Sequence, residues 1–128
     1  MLLTVALLVT LHVPAADSVA GAWRIKGDVQ GNPVTEVCTI QQAGNVLTGR
    51  CDDPDGGEPS LIAGKIENGT ITFWHGGDWD GQELTIVYTA SLASPKELKG
   101  TIEVRPMHMT GTFTATLAPA EPAVASKP

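Results

Sequence analysis

Outside its first fifteen residues, the sequence has no stretch in which apolar residues recur at the spacing of a helix face. It also lacks G-x-S-x-G, H-E-x-x-H and a glycine-rich phosphate loop, motifs that mark common nucleophilic, zinc-dependent and nucleotide-binding enzymes. Its 8 basic residues are scattered, and the formal net charge is -6. No basic stripe is available to follow a phosphate backbone, so we expect no nucleic-acid partner.

The first fifteen residues are uncharged, rich in Leu and Val, and end in small residues at which signal peptidase would cut. This pattern predicts a signal peptide over 1–15 and a periplasmic or secreted protein, with no membrane insertion after export. The length allows one domain, which we place at 16–118. The proline- and alanine-rich segment 119–128 is predicted to be a disordered tail.

What the chain contains instead of helical periodicity is strict alternation of apolar and polar residues, most clearly from Thr110 to Leu117. Short alternating segments separated by turn signals predict an all-β fold: an eight-stranded antiparallel up-and-down barrel, with a two-layer sandwich as the alternative. The predicted strands are 20–30, 34–42, 46–52, 60–67, 70–76, 83–92, 98–105 and 109–117.

Two turn signals set the strand register. Asn68-Gly69 is a strong hairpin signal, and a two-residue turn at Gly44-Asn45 would place Cys38 opposite Cys51. In an exported protein such a pair is expected to form a disulfide. A metal site is the rival interpretation, disfavoured because no neighbouring His or Cys completes a tetrahedral set. We therefore expect neither a metal nor another cofactor.

The meander sorts the connections between the two ends of the barrel. The loops predicted at 31–33, 53–59, 77–82 and 106–108 fall at one end and are longer than the turns at the other. Binding groups usually lie on loops of this kind, above a rigid frame. This end is the expected opening to the interior.

Three polar side chains break the apolar pattern of the inner face: Glu36, His75 and Tyr88. A carboxylate and an imidazole that converge at the opening could act as acid and base, or together bind a polar group of a ligand. Alternatively, Glu36 turns to solvent and His75 bonds a neighbouring strand. Tyr88 either bonds a ligand or belongs to the core.

The segment Gly21-Ala22-Trp23 resembles the G-x-W start of calycin-type barrels, the lipocalin and avidin group, and the likeness continues in Leu47-Thr48-Gly49 and in 111–115 of the last strand. The segment Leu98-Lys99-Gly100-Thr101 is similar to a pattern of small exported bacterial lipocalin-like modules. The resemblance implies an eight-stranded barrel, with Trp23 closing one end and a pocket for a small, often apolar ligand. Biotin is not expected, because Trp74 has outward parity and Trp79 lies in a predicted loop.

The resulting hypothesis is an exported barrel that binds a small, partly apolar molecule at its open end. Its ligand-binding residues would be Glu36, His75, Trp79 and Met109 at the opening and Phe73, Tyr88 and Phe113 as an apolar wall. One alternative is a cofactor-independent isomerase, lyase or hydrolase in which Glu36 and His75 are catalytic. The other is a structural or interaction module with a filled barrel.

Overall fold

The structure, a computed structural model, describes residues 18–119 and shows an all-β fold. Its strands are β1 (Gly21–Val29), β2 (Asn32–Ala43), β3 (Val46–Asp52), β4 (Ser60–Glu67), β5 (Thr70–Trp79), β6 (Gln82–Ser94), β7 (Glu97–Arg105) and β8 (Met109–Leu117). Each strand pairs antiparallel with the next, and β8 pairs with β1 to close a barrel. The predicted barrel is confirmed. The sandwich is wrong, because the strands that would be its edges pair with each other.

The two chain ends carry predictions that the structure does not test. The predicted signal peptide, 1–15, lies outside the described residues, as do positions 120–128 of the predicted tail. Within the described range there is no helix of the length and apolarity that a membrane span requires.

Two of the four connections at the expected open end are shorter than predicted, and the other two, 53–59 and 106–108, have the predicted bounds. The predicted loop 77–82 is a two-residue turn, because β5 and β6 both extend further. In this turn Asp80 and Gly81 have φ angles of 51° and 78°, as a type I′ hairpin requires. The connection between β1 and β2 is likewise reduced to Gln30-Gly31. We call this end, with the connections 30–31, 53–59, 80–81 and 106–108, the mouth.

The register between β2 and β3 is the predicted one. Ala43 faces Val46 across the turn, and Cys38 lies directly opposite Cys51. The two cysteines form a disulfide with their Cα atoms 3.9 Å apart. Both are buried in the barrel interior, so the bridge joins two neighbouring strands from the inside.

Trp23 fills the end of the barrel opposite the mouth. Its side chain is fully buried, and its indole Nε1–H donates to the carbonyl oxygen of Val19 at 2.9 Å. Val19 is itself buried, and its backbone N–H donates to Oε1 of Gln42 at 2.9 Å. Trp23 therefore closes this end of the barrel, as the calycin resemblance implies, and the short segment before β1 covers it.

Replacing Cys38 and Cys51 together by Ala is expected to lower the free energy of unfolding by roughly 2–3 kcal/mol, because the bridge closes a short loop in the unfolded chain. The two cysteines are 13 residues apart in sequence. Urea denaturation of the oxidised wild type and the double variant measures the difference. Two titratable thiols in protein that was never reduced would contradict the disulfide.

The substitution Gly100→Ala is expected to destabilise the barrel by about 1–3 kcal/mol, because a Cβ there would overlap the carbonyl oxygen of Thr89. Gly76→Ala is the matched control, since the nearest atom to its added Cβ would be 3.9 Å away. We expect the control to change the free energy of unfolding by less than about 0.5 kcal/mol. Equal effects of the two substitutions in chemical denaturation would contradict close strand approach at Gly100.

Candidate functional site

The mouth of the barrel contains a cavity of about 280 Å³. This volume is close to the lower end of the range for small-molecule pockets, which begins at about 300 Å³. The lining side chains are apolar with one exception, Asn32. They are Val29, Asn32, Val34, Trp79, Leu84, Val104, Met107 and Met109.

Trp79 and Met109, both predicted at the opening, line this cavity. Trp79 is the last residue of β5 and is 58% exposed, so its indole stands at the rim. Most of the other residues that line the cavity were not predicted from the sequence. Val34, for example, has the inward parity of a core residue, and the pattern does not show that the space above it is open. A usable signal was present: such residues lie close to the turns of one end.

Glu36 and His75 meet inside the barrel, one layer below the cavity. On β2, Glu36 lies two positions beyond Val34, which lines the cavity. On β5, His75 lies two positions before Gly77, and Gly77 pairs with Leu84, another residue of the cavity lining. Oε1 of Glu36 is 2.7 Å from Nε2 of His75, and the two side chains are 11% and 5% exposed. The alternative in which Glu36 turns to solvent is wrong.

Both ring nitrogens of His75 face an oxygen atom. Nε2 faces the Glu36 carboxyl group, and Nδ1 lies 2.7 Å from the carbonyl oxygen of Gly76. A neutral imidazole has only one N–H, whereas both nitrogens here face acceptors. Burial lowers the pKa of His75, but the hydrogen bond and charge of Glu36, with the Gly76 carbonyl, raise it by more, and the net pKa is above the ordinary value of 6.5. When His75 is protonated, both of its N–H groups therefore find an acceptor.

Tyr88 lies below this pair in an aromatic cluster. Its ring stacks on Phe73 with centroids 4.8 Å apart and meets the edge of Phe113 at 5.0 Å. The hydroxyl is buried and makes no hydrogen bond among the described residues. Burial, and after it the charge of the nearby Glu36 carboxyl group, raises the pKa of Tyr88, so the phenol stays protonated at neutral pH.

The predicted site residues therefore occupy two levels. Trp79 and Met109 line the cavity, whereas Phe73, Tyr88 and Phe113 are buried beneath it and do not line it. Glu36 and His75 lie between the two levels.

A metal site at the cysteines was disfavoured because no His or Cys is near them in sequence. In the folded chain, however, His75 lies near Cys51. The fold brings the ligand atoms of Glu36, Cys51 and His75 within 4.8 Å of one another. Since His75 belongs to β5 and the cysteines to β2 and β3, their separation in sequence hid this proximity.

The pH dependence of stability is expected to report the Glu36–His75 pair. Because the pKa of His75 is raised on folding, the pair stabilises the fold fully below about pH 6.5 and loses that contribution as pH rises through the higher folded pKa. The Glu36→Gln variant should lose this part of the pH dependence. Urea denaturation of both proteins across this pH range measures it, and identical profiles would contradict the ion pair.

Comparisons with known proteins identify the fold and no relative. No protein-family model matches the chain, and no curated protein matches its sequence. Among solved structures, the rhizavidin–biotin complex matches with a TM-score of 0.59 at 13% identity, over 86% of this chain and 100% of the other.

Two redesigned β-barrels match similarly. One has a TM-score of 0.60 at 13% identity, over 78% of this chain and 91% of the other. The second, mFAP1 bound to DFHBI, has a TM-score of 0.56 at 13% identity, over 76% of this chain and 93% of the other. At these identities the likeness concerns the fold alone, and it confirms that the chain has a calycin-like β-barrel fold.

Proposed function

We propose that this protein is an exported β-barrel that binds a small, partly apolar molecule in the cavity at its mouth. The observation that carries this proposal is the cavity itself: about 280 Å³ of space in a barrel whose lower part is filled by side chains. The buried disulfide supports export, since such bridges persist in oxidising compartments.

The lining supports a ligand that is mostly apolar. Val29, Val34, Leu84 and Val104 form aliphatic walls, and two methionines add adaptable surface. Methionine side chains adjust to ligands of different shape because they rotate freely and are polarisable.

Polar recognition would come from three places. Asn32 lies in the cavity wall, with its Nδ2 donating to the carbonyl oxygen of Val29 at 3.1 Å. Trp79 at the rim has an apolar ring and an indole N–H, so it suits a ligand with one polar end. Beneath the cavity, the Glu36–His75 pair supplies charge to a polar group that reaches deeper. Phe73, Tyr88 and Phe113 support this floor.

Two structural neighbours are small-molecule complexes: rhizavidin with biotin and mFAP1 with DFHBI. They support the proposal by showing that barrels of this architecture hold small molecules.

A second candidate function is acid–base catalysis by Glu36 and His75, and their separation of 2.7 Å favours it. A substrate would have to reach Nε2 of His75, which already faces the Glu36 carboxylate under the cavity floor. Ligand binding at the mouth needs no such rearrangement. We therefore prefer binding to catalysis, and the cavity also distinguishes this barrel from a fully filled structural module.

The substitution Val104→Phe is expected to fill part of the cavity and weaken binding of any ligand at least tenfold, about 1.4 kcal/mol. Ligands would be found by screening small apolar and amphipathic molecules for a change in Trp79 fluorescence, with Trp79→Phe to subtract the signals of Trp23 and Trp74. Leu61→Phe, at a position 80% exposed on the outer face, is the matched control.

The control should bind as the wild type does. A panel without any binder, or a binder that Val104→Phe and Leu61→Phe affect equally, would contradict a ligand site at the mouth.

A further inference from the structure

Four side chains with metal-binding atoms meet inside the barrel below the mouth. The ligand atoms of Glu36, Cys51 and His75 lie within 4.8 Å of one another. Cys38, which is bonded to Cys51, places its Sγ 3.2 Å from Oε1 of Glu36. These residues belong to β2, β3 and β5, so only the folded barrel assembles them.

We propose that reduction of the Cys38–Cys51 disulfide creates a binding site for one Zn²⁺ ion, held by Glu36, Cys38, Cys51 and His75. Two thiolates, one imidazole and one carboxylate form a set of four ligands suited to tetrahedral zinc. This site goes beyond the proposed ligand binding at the mouth and does not depend on it.

The orientation of His75 matches that of a zinc ligand. Its Nδ1–H donates to the carbonyl oxygen of Gly76 at 2.7 Å, which fixes the ring and leaves Nε2 toward Glu36 and the cysteines. Histidines that bind metals usually donate their other ring N–H to a carbonyl or carboxylate in this way. The ion would take the place of the proton now held between Nε2 and Glu36.

The distances are compatible with rearrangement of side chains alone. Tetrahedral zinc, with Zn–S bonds of about 2.3 Å and Zn–N bonds of about 2.0 Å, places its ligand atoms roughly 3.3–3.8 Å apart. Nε2 of His75 and Oε1 of Glu36, now 2.7 Å apart, must move apart by less than about 1 Å. Once the S–S bond is broken, each sulfur is free to turn about its Cα–Cβ bond into another staggered position.

The electron balance requires a dithiol reductant. The dithiol transfers two electrons and two protons to the sulfurs of Cys38 and Cys51, the S–S bond breaks, and the dithiol becomes a disulfide. When Zn²⁺ binds, the two protein thiols release those protons to solvent, and the proton held between Nε2 of His75 and Glu36 is released as well. A disulfide oxidant reverses the exchange, re-forms the bridge and expels the ion. Metal binding is thereby controlled by the redox state of the cysteine pair.

The test compares the reduced and oxidised forms of the same chain. The protein is reduced, freed of reductant under argon and titrated with Zn²⁺ in competition with a chromophoric chelator. We expect one ion per reduced chain and at least a hundredfold weaker binding to the oxidised chain. With Co²⁺ in place of Zn²⁺, the reduced protein should show sulfur-to-metal charge-transfer bands and the strong visible bands of tetrahedral coordination.

Substitutions separate this site from adventitious binding. His75→Gln should weaken binding of Zn²⁺ to the reduced chain at least tenfold, and Cys38→Ala with Cys51→Ala should abolish it. His108→Gln, which removes an exposed histidine in the turn 106–108, is the matched control and should bind as the wild type does. Circular dichroism establishes whether each protein remains folded.

Each outcome decides the proposal. It is overturned if reduced, folded protein binds no Zn²⁺, if His75→Gln binds as tightly as the wild type, or if the oxidised chain binds equally well. It is also overturned if the Co²⁺ spectrum lacks sulfur bands. If reduction unfolds the chain, refolding on addition of Zn²⁺ supports the site, and failure to refold overturns it. None of these results depends on whether a ligand binds at the mouth.

Discussion

The pairing of β8 with β1 is the contact on which the rest of the structure depends. It converts a meandering sheet with two free edges into a closed barrel, so every inward side chain points into one shared interior. That interior is narrow. Strands approach closely where a side chain is missing, as at Gly100 and Gly111, where a Cβ would overlap the backbone of a neighbouring strand.

Closure also determines how the polar residues of the inner face behave. Glu36 and His75 are removed from water, and a single buried charge without a partner would be strongly destabilising. When His75 is protonated, Glu36 at 2.7 Å compensates its charge, and the Gly76 carbonyl accepts the other imidazole N–H. The hydroxyl of Tyr88 makes no hydrogen bond within the described part of the chain, and its ring lies next to His75.

The interior is divided between packing and open space. At the closed end, Trp23 and the stacked rings of Phe73 and Tyr88 fill the barrel, and they are the largest fully buried side chains of the described residues. At the mouth the same strands continue beyond the aromatic layer, and smaller side chains such as Val34 and Val104 leave a cavity. The Glu36–His75 pair lies between these zones.

The sequence by itself determined the strands and the local hairpins, because alternation and turn residues act between neighbours in the chain. Asn68-Gly69 and Gly44-Asn45 set their turns, and the second placed Cys38 opposite Cys51. The end of β5 was predicted too early, because its glycines carry no side chain that would continue the alternating pattern. The Asp80-Gly81 turn was therefore predicted as part of a longer loop.

Tertiary structure decided the rest, since it depends on closure around the whole barrel. The sequence identified Glu36 and His75 as inward polar residues, but they are 39 positions apart. They come into contact only because the pairing of β2, β3, β4 and β5 places them at the same depth of the barrel interior. The same holds for the cavity: parity shows that Val34 points inward, but whether the space above it is filled is a property of all eight strands together.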